Sequence, residues 1–459
     1  MNPWQLTASE AIAQIRAGRM SSLEWTRSCL DRIGSLESQL HAWAFLDPEI
    51  PLRRADQADR VRKTNGSAGP LEGAPIGVKD IFNTLEMPTE MGSPLWKGFT
   101  PGNDARVVAT LKRRGGVVLG KTVTSEFAVH FPGPTRNPRD IGRSPGTSSS
   151  GSAVAVATGM VPLALGSQTA GSTIRPASYC GVYGFKPSFG LIPRTGMLKT
   201  TDTLDHVSFF ARSVPDLRVI FDQARVSGRN HPIVRERVDG RSDRTDPVSW
   251  RVGLVRGPFW NEAQPYVRAA LEGFASGLAS NRQIRLEEFH LPEGADRVHA
   301  AHQRIYCRTL AYYFQQENRR QTRLSGPFRQ MISAGAEISA ADYQKEIQFQ
   351  AEFSRRLDRR LEETGIHLLL DFSTAAEAPR GLETPDPPDH CLIWTFAGLP
   401  SMSVPAFRAP SGLPFGLQLA ARKYEDHVLL RFAQRFAGAG PAEPALAKEP
   451  TEETGAGIR

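Results

Sequence analysis

The stretch DARVVATLKRRGGVVLGKT, residues 104–122, decides how the rest of the chain is read. Asp104 opens it with a carboxylate suited to a helix N-terminus, and Val107, Val108 and Leu111 follow at helical spacing. Arg113 and Arg114 precede Gly115, the order that closes a helix. Val117-Val118-Leu119 is then a short apolar run of the kind that fills a buried strand. Helix, glycine turn and buried strand in succession predict an α/β protein with a mainly parallel or mixed sheet. The same stretch satisfies the phosphate-loop pattern G-x-x-x-x-G-K-T from Gly115 to Thr122. That mechanism needs a strand before the first glycine and a helix starting at the lysine, so that loop N–H groups ring the phosphates. Here the order is inverted, and Val-Val-Leu pairs in a sheet more readily than it wraps an anion. A nucleotide-binding enzyme using Gly120-Lys121-Thr122 is kept as a rival reading.

Outward from this segment the alternation continues. Thr7 to Glu10 and Ser21 to Glu24 each have capping-box form, followed by Ile12 and Ile15 and by Cys29, Leu30 and Ile33 at helical spacing. Val252–Val255, Ile284–Leu286, Leu368–Leu370, Met402–Val404 and Phe415–Leu419 read as strands, and Pro265–Leu278 and Tyr343–Leu361 as helices. Val226 to Val248 is a polar connection. No repeat and no sharp break in composition divides the chain. The expected layout is one α/β/α domain over residues 1–437, a wide mixed sheet flanked by helices. Within it lie N-terminal helices (1–64), a core (65–200) and a variable C-terminal part (201–437), with a flexible tail over 438–459.

The chain has 459 residues, 40% of them hydrophobic and 23% charged. That profile excludes collagen-like, disulfide-scaffold and wholly disordered proteins. No apolar run approaches the ~18–20 residues needed to span a bilayer, and Met1 to Leu6 has no basic flank leading into an apolar stretch. The expectation is a cytoplasmic protein without membrane contact. Lys and Arg number 56 against 48 Asp and Glu, a net charge of +8. Over so long a chain this is dilute, and the densest basic stretch, Arg235 to Arg251, is interleaved with acids. No nucleic-acid partner is expected. Cys29, Cys180, Cys307 and Cys391 are far apart and read as free buried thiols. His299 and His302 share a helical face but lack a carboxylate companion at metal-ligand spacing, so no metal is expected.

From Asn137 to Pro187 small residues dominate. Gly146-Thr147-Ser148-Ser149-Ser150-Gly151-Ser152 and Gln168-Thr169-Ala170-Gly171-Ser172-Thr173-Ile174-Arg175-Pro176 are its two densest parts. Small residues at this density mean tight turns and exposed main-chain N–H groups. A nucleophilic serine needs a base in reach, N–H groups aimed at a developing oxyanion and an exposed backbone corner. Thr169 to Ser172 can supply the last two. The G-x-S-x-G elbow is absent, and no histidine lies near either serine loop. Only ten of the basic residues are lysines, and one of them, Lys79, sits in the apolar run Ile76-Gly77-Val78-Lys79-Asp80-Ile81-Phe82. Burial lowers a lysine's pKa and makes it a candidate base.

These segments together resemble the amidase signature family, in its malonamidase-like subset. Gly77 to Asp80 is similar to the family's lysine strand, Gly146 to Ser152 to its Gly/Ser loop, and Gln168 to Pro176 to its nucleophile loop, followed by Cys180 to Pro187. Leu6 to Asp56 resembles the N-terminal helices, and Gly398-Leu399-Pro400 through Gly416 to Leu419 the C-terminal strands. Positions 79, 148 and 172 have the spacing of the Ser–Ser–Lys triad. The resemblance implies that Ser172 is the nucleophile, that Ser148, preceded by a cis peptide bond, relays its proton to Lys79, and that N–H groups of Thr169, Ala170, Gly171 and Ser172 form the oxyanion hole. Gly146, Ser149 and Arg175 are implied in substrate binding; Arg175 would either hold a substrate carboxylate or brace the backbone through an ion pair. Thr147, Ser150 and Ala170 stand where glycine is common in the family. Side chains from Met91–Trp96, Phe127–Phe131 and the region after Ala300 are expected to line the acyl pocket.

The implied activity is hydrolysis of a small-molecule carboxamide without metal or organic cofactor, by a monomer or homodimer. Two further rivals stand beside nucleotide binding. One is a glutamine amidotransferase subunit supplying ammonia to aminoacyl-tRNA, expected to carry Asp-Thr-Gly-Gly-Ser rather than Gln168-Thr169-Ala170-Gly171-Ser172. The other is a non-catalytic binding protein on the same scaffold.

Overall fold

The computed structural model describes residues 2–438 except 130, 229, 232, 233, 235–237, 239–245, 383–385 and 388. The strands β2 (Pro75–Lys79), β3 (Val117–Thr122) and β4 (Leu163–Gln168) are buried at every residue. Successive side chains of a strand point to opposite faces, so unbroken burial means that both faces are covered. They belong to one sheet with β1 (Trp43–Phe45), β5 (Tyr183–Lys186), β6 (His206–Ala211), β7 (Trp250–Val255), β8 (Ile284–Phe289), β9 (Leu368–Phe372), β10 (Ser401–Arg408) and β11 (Pro414–Ala421). The eleven strands lie in the order β1-β3-β2-β4-β6-β5-β10-β11-β9-β7-β8. Pairing is parallel for β3/β2/β4 and for β9/β7/β8, and antiparallel through the centre from β4 to β9. The expected mixed α/β sheet is what the chain forms.

Helices α1 (Ala8–Arg16) and α2 (Ser22–Leu40) begin at the two capping boxes, with Thr7 and Ser21 accepting the N–H of Glu10 and Glu24. Helix α3 (Glu49–Asn65) follows, and α4 (Arg106–Arg113) starts two residues later than Asp104 suggested. The Asp104 carboxylate is drawn into tertiary contacts instead. It accepts the Leu85 N–H at 2.8 Å and pairs with Lys112 at 2.9 Å. Helix α5 (Ser150–Ala157) packs on β2, β3, β4 and β6; α6 (Ile174–Cys180) packs on β5, β10 and β11; α7 (Val214–Ala224) packs on β4, β5 and β6. Among the described residues no helix is long and apolar enough to cross a membrane. The polar connection read over 226–248 falls largely outside the described residues, as does the tail after Gly438.

The phosphate-loop reading is corrected here. Lys121 lies inside β3 with no solvent exposure, and Gly120 packs so closely on β1 that a Cβ would sit 2.7 Å from the Phe45 carbonyl oxygen. Its Nζ donates to Asp80 Oδ1, the Pro88 carbonyl and Thr89 Oγ1, each at 2.8 Å. A strand replaces the loop, and all three donors of the ammonium are used within the fold. Burial pushes the Asp80 carboxyl up and the Lys121 amine down, and each partner's charge pulls the other back. Removing one member of such a pair strands the other. Lys121→Ala is expected to cost about 3–5 kcal/mol in urea unfolding, and the double change Asp80→Leu/Lys121→Met less than the single one.

Candidate active site

Strand β2 ends on Lys79, which has no solvent exposure. Its Nζ reaches Ser148 Oγ at 2.7 Å, Ser149 Oγ at 2.9 Å and Ser167 Oγ at 2.8 Å. The partners come from two directions. Ser167 stands on β4, which is parallel to β2 and beside it; Ser148 and Ser149 come from the turn leading into α5. All three are hydroxyls, and among the described residues no carboxylate hydrogen-bonds to the amine. Burial holds the Lys79 pKa well below the ordinary 10.5, and the Asp205 charge draws it partly back.

The turn carrying Ser148 is tightly built. The Thr147–Ser148 peptide bond is cis, as the resemblance implied, and Gly146 has φ +86°. A Cβ at 146 would meet Pro176 Cα at 2.9 Å, so this glycine lets the two serine loops touch. Ser149 is wholly buried and also donates to the Ser167 carbonyl at 3.2 Å. Gly146 and Ser149, which the resemblance implies in substrate binding, are both buried in this turn.

Ser172 lies between β4 and α6. From residue 161 through 188 it is the one residue that is not buried. Its loop is made of small side chains and is held from outside. Gln168 Oε1 caps α6 by accepting the N–H of Thr173 at 2.8 Å and of Ile174 at 3.0 Å. Thr169 Oγ1 donates to Asp205 at 2.8 Å, while His302 Nε2 donates to the Thr169 carbonyl at 2.8 Å. Thr395 Oγ1 donates to the Ala170 carbonyl at 2.9 Å. Asp205 further accepts both N–H and hydroxyl of Thr200 and of Thr201, at 2.7–3.0 Å.

Arg175 realises the ion-pair brace. Its Nη1 pairs with Asp386 at 2.6 Å and its Nη2 with Asp389 at 2.8 Å, with only 3% of the side chain exposed. Asp386 also accepts the Thr147 N–H at 2.8 Å and the Thr147 hydroxyl at 2.6 Å. Asp389 lies so close to Gly171 that a Cβ there would fall 2.0 Å from its carboxylate, and it accepts the Gly171 N–H. Burial pushes the Asp389 carboxyl up to about 6, against the opposing pull of Arg175.

The structure therefore joins Lys79 to Ser148 and places Ser172 in a neighbouring loop. No hydrogen bond links Ser148 to Ser172 among the described residues. The three segments expected to line the acyl pocket do converge. Met91, Phe127 and Val129 share an apolar cluster with Tyr306, Leu310 and Phe314, and the Phe127 ring lies 4.9 Å from that of Phe314. Sequence reading missed Ser167, Asp205, Asp386 and Asp389. Ser167 stood inside the small-residue stretch and could have been found by its strand neighbours; the aspartates lie in polar loops that read as ordinary turns.

A model of the amidase family matches residues 24–430. The chain belongs to the amidase family. Its matched region runs from α2 to the helix Asp426–Phe432 and includes every residue of the site. A glutamyl-tRNA(Gln) amidotransferase subunit of Roseiflexus sp. (strain RS-1) is 31% identical over 473 residues, covering 94% of this chain and 96% of that protein. Native peptide amidase from Stenotrophomonas maltophilia superposes with a TM-score of 0.79 at 25% identity, covering 96% and 99%. The glutamyl-tRNA(Gln) amidotransferase subunit from Thermotoga maritima gives 0.79 at 26% identity, covering 98% and 99%. As an amidase-family enzyme the chain is an amide hydrolase by class.

Gly146→Ala adds a methyl group where the backbone is left-handed and Pro176 leaves no space. A loss of at least about 1 kcal/mol in chemical denaturation is expected, with amide turnover falling further than stability because Ser148 moves with the loop.

Proposed function

We propose that this chain hydrolyses a carboxamide to a carboxylate and ammonia or an amine through an acyl-enzyme on Ser172. The observation that carries the proposal is the surroundings of Lys79: a wholly buried amine contacted by three hydroxyls and, among the described residues, by no carboxylate. A neutral amine has two protons to donate and one lone pair. Two of the three hydroxyls then accept from Nζ, and the third, Ser148, donates to it.

Ser172 Oγ attacks the carbonyl carbon and gives its proton to Ser148 Oγ, which passes its own to Lys79 Nζ. The carbonyl oxygen becomes an oxyanion facing the N–H groups of Thr169, Ala170 and Ser172, since that of Gly171 is turned to Asp389. The proton returns through Ser148 to the leaving nitrogen as the C–N bond breaks, leaving an ester on Ser172. Water repeats the sequence on the ester and frees the carboxylate. The proton balance closes without a cofactor.

A second reading rests on the curated relatives: glutamine as the amide, with ammonia passed to a partner for aminoacyl-tRNA. Glutamine turnover by the isolated chain, raised on adding amidotransferase partner subunits, would favour it. The Gln168-Thr169-Ala170-Gly171-Ser172 loop favours the stand-alone hydrolase.

Ammonia release from a panel of simple carboxamides tests the proposal. Ser172→Ala is expected to lose at least ~10³-fold of turnover, Lys79→Ala a comparable factor, and the double variant little more than either, because the groups act as a unit. A double variant that shows the product of the single losses contradicts the relay. Turnover also depends on the uncharged amine. A depressed pKa means that Lys79 regains its proton only as pH falls through that value, so activity declines on the acid side. Flat kcat/KM down to pH 5 argues against a lysine base.

A further inference from the structure

Asp205 stands immediately before β6 with 2% of its surface exposed, yet among the described residues no cation pairs with its carboxylate. Neutral groups satisfy it instead. Oδ2 accepts the N–H of Thr200 and of Thr201 at 2.8 and 2.9 Å. Oδ1 accepts the hydroxyls of Thr169, Thr200 and Thr201 at 2.8, 2.7 and 3.0 Å. These donors surround the charge without cancelling it. One of them, Thr169, is the first residue beyond β4 and opens the nucleophile loop. β4 lies between β2, which ends on Lys79, and β6, with Gln168 opposite His206. Asp205 is therefore separated from the lysine strand by one strand, and its charge is the one that draws the Lys79 amine back from the depression that burial imposes. In a water-poor interior a charge acts over such a span far more strongly than it would in water.

We propose that Asp205 is a positioning residue for the hydrolysis: through Thr169 it fixes the nucleophile loop, and its charge supports the ammonium that Lys79 becomes when the relay delivers a proton. The proposal rests on the amide-hydrolase reading above and deepens it. The proton that leaves Ser172 reaches Lys79 through Ser148 and returns to the leaving nitrogen, while Asp205 takes no proton and forms no bond. Its part is a charge set in place before the reaction starts. Other titratable groups reach this corner. Arg194 Nη1 donates to the Asp205 carbonyl at 3.3 Å. From the helix Val298–Tyr313, burial and then the Asp205 charge hold the Tyr306 phenol up. His206, next on β6, is held neutral by burial and then by the Lys186 charge. Asp80, next to Lys79 in sequence, is taken by Lys121.

The test uses the full chain and the fastest substrate among acetamide, butyramide, benzamide and malonamide, with ammonia release followed against pH. In Asp205→Asn the amide oxygen can take the two N–H groups, and the amide nitrogen can donate to hydroxyls that turn to accept. The contacts survive and the charge goes. The kcat plateau is expected to fall at least about tenfold with KM within about threefold. The acid-side midpoint of kcat/KM should move down by at least about 0.5 pH unit, because an amine without its supporting charge holds a proton less tightly. Other buried groups that titrate in this range, such as Asp389 at about 6 and Lys186 at about 7, are common to variant and wild type. A fall in kcat with the midpoint unmoved marks a merely structural role and overturns the proposal. Thr169→Val cuts the anchor and keeps the charge; kcat should drop at least about fivefold at an unmoved midpoint, and Thr169→Ser should restore it. Wild-type kcat in Thr169→Val also overturns the proposal, and that variant decides if Asp205→Asn does not fold. Either result leaves the hydrolase reading standing. No ammonia from any of the four amides overturns both.

Discussion

A lysine amine with no water around it has to be satisfied by its neighbours or give up its charge. Lys79 and Lys121 meet this constraint in opposite ways on adjacent strands. Val78 stands opposite Lys121 and Lys79 opposite Thr122, so the two amines lie on opposite faces of the sheet. Lys121 has a carboxylate, a carbonyl and a hydroxyl, the environment of a retained ammonium. Among the described residues Lys79 has hydroxyls alone. The proposed relay follows from that contrast, since only a proton-poor amine can draw a proton from Ser148.

The serine loops depend on the same economy of space. Small side chains let Gly146 touch Pro176 and Gly171 touch Asp389, but they bury little apolar surface and cannot hold a loop by packing. Polar side chains from distant parts of the chain do that instead: Asp205, His302, Asp386, Asp389 and Thr395. A hydrogen bond to a charged group contributes about 1.5–3 kcal/mol, and several converge here. Gln168 provides the local part, capping α6 with its side chain.

Much of the frame was legible. The capping boxes at Thr7 and Ser21 use local contacts, and the helix and strand of residues 106–122 follow from apolar spacing within the segment. The short strands β1, β5 and β6 escaped for different reasons: β1 has only three residues, too few to show a period, β5 borders the glycine-rich stretch, and β6 carries polar residues such as His206 and Ser208. The helix Val298–Tyr313 escaped because its buried stripe includes His302, Tyr306 and Thr309, which blur the apolar period. Its two histidines, read as an unpartnered pair, each reach a backbone carbonyl at the site.

Taken alone, the sequence determined the fold class and the family resemblance, and through that resemblance it pointed to positions 79, 148 and 172, because strand burial, turn chemistry and motif spacing are properties of short segments. Tertiary structure decided what each charge does. Asp104 left its helix for Leu85 and Lys112, Lys121 took Asp80 in place of a phosphate, and Arg175 took two aspartates from more than two hundred residues away. A charge buried by folding binds whichever opposite charge the fold brings nearest, and that neighbour cannot be read from positions adjacent in the chain.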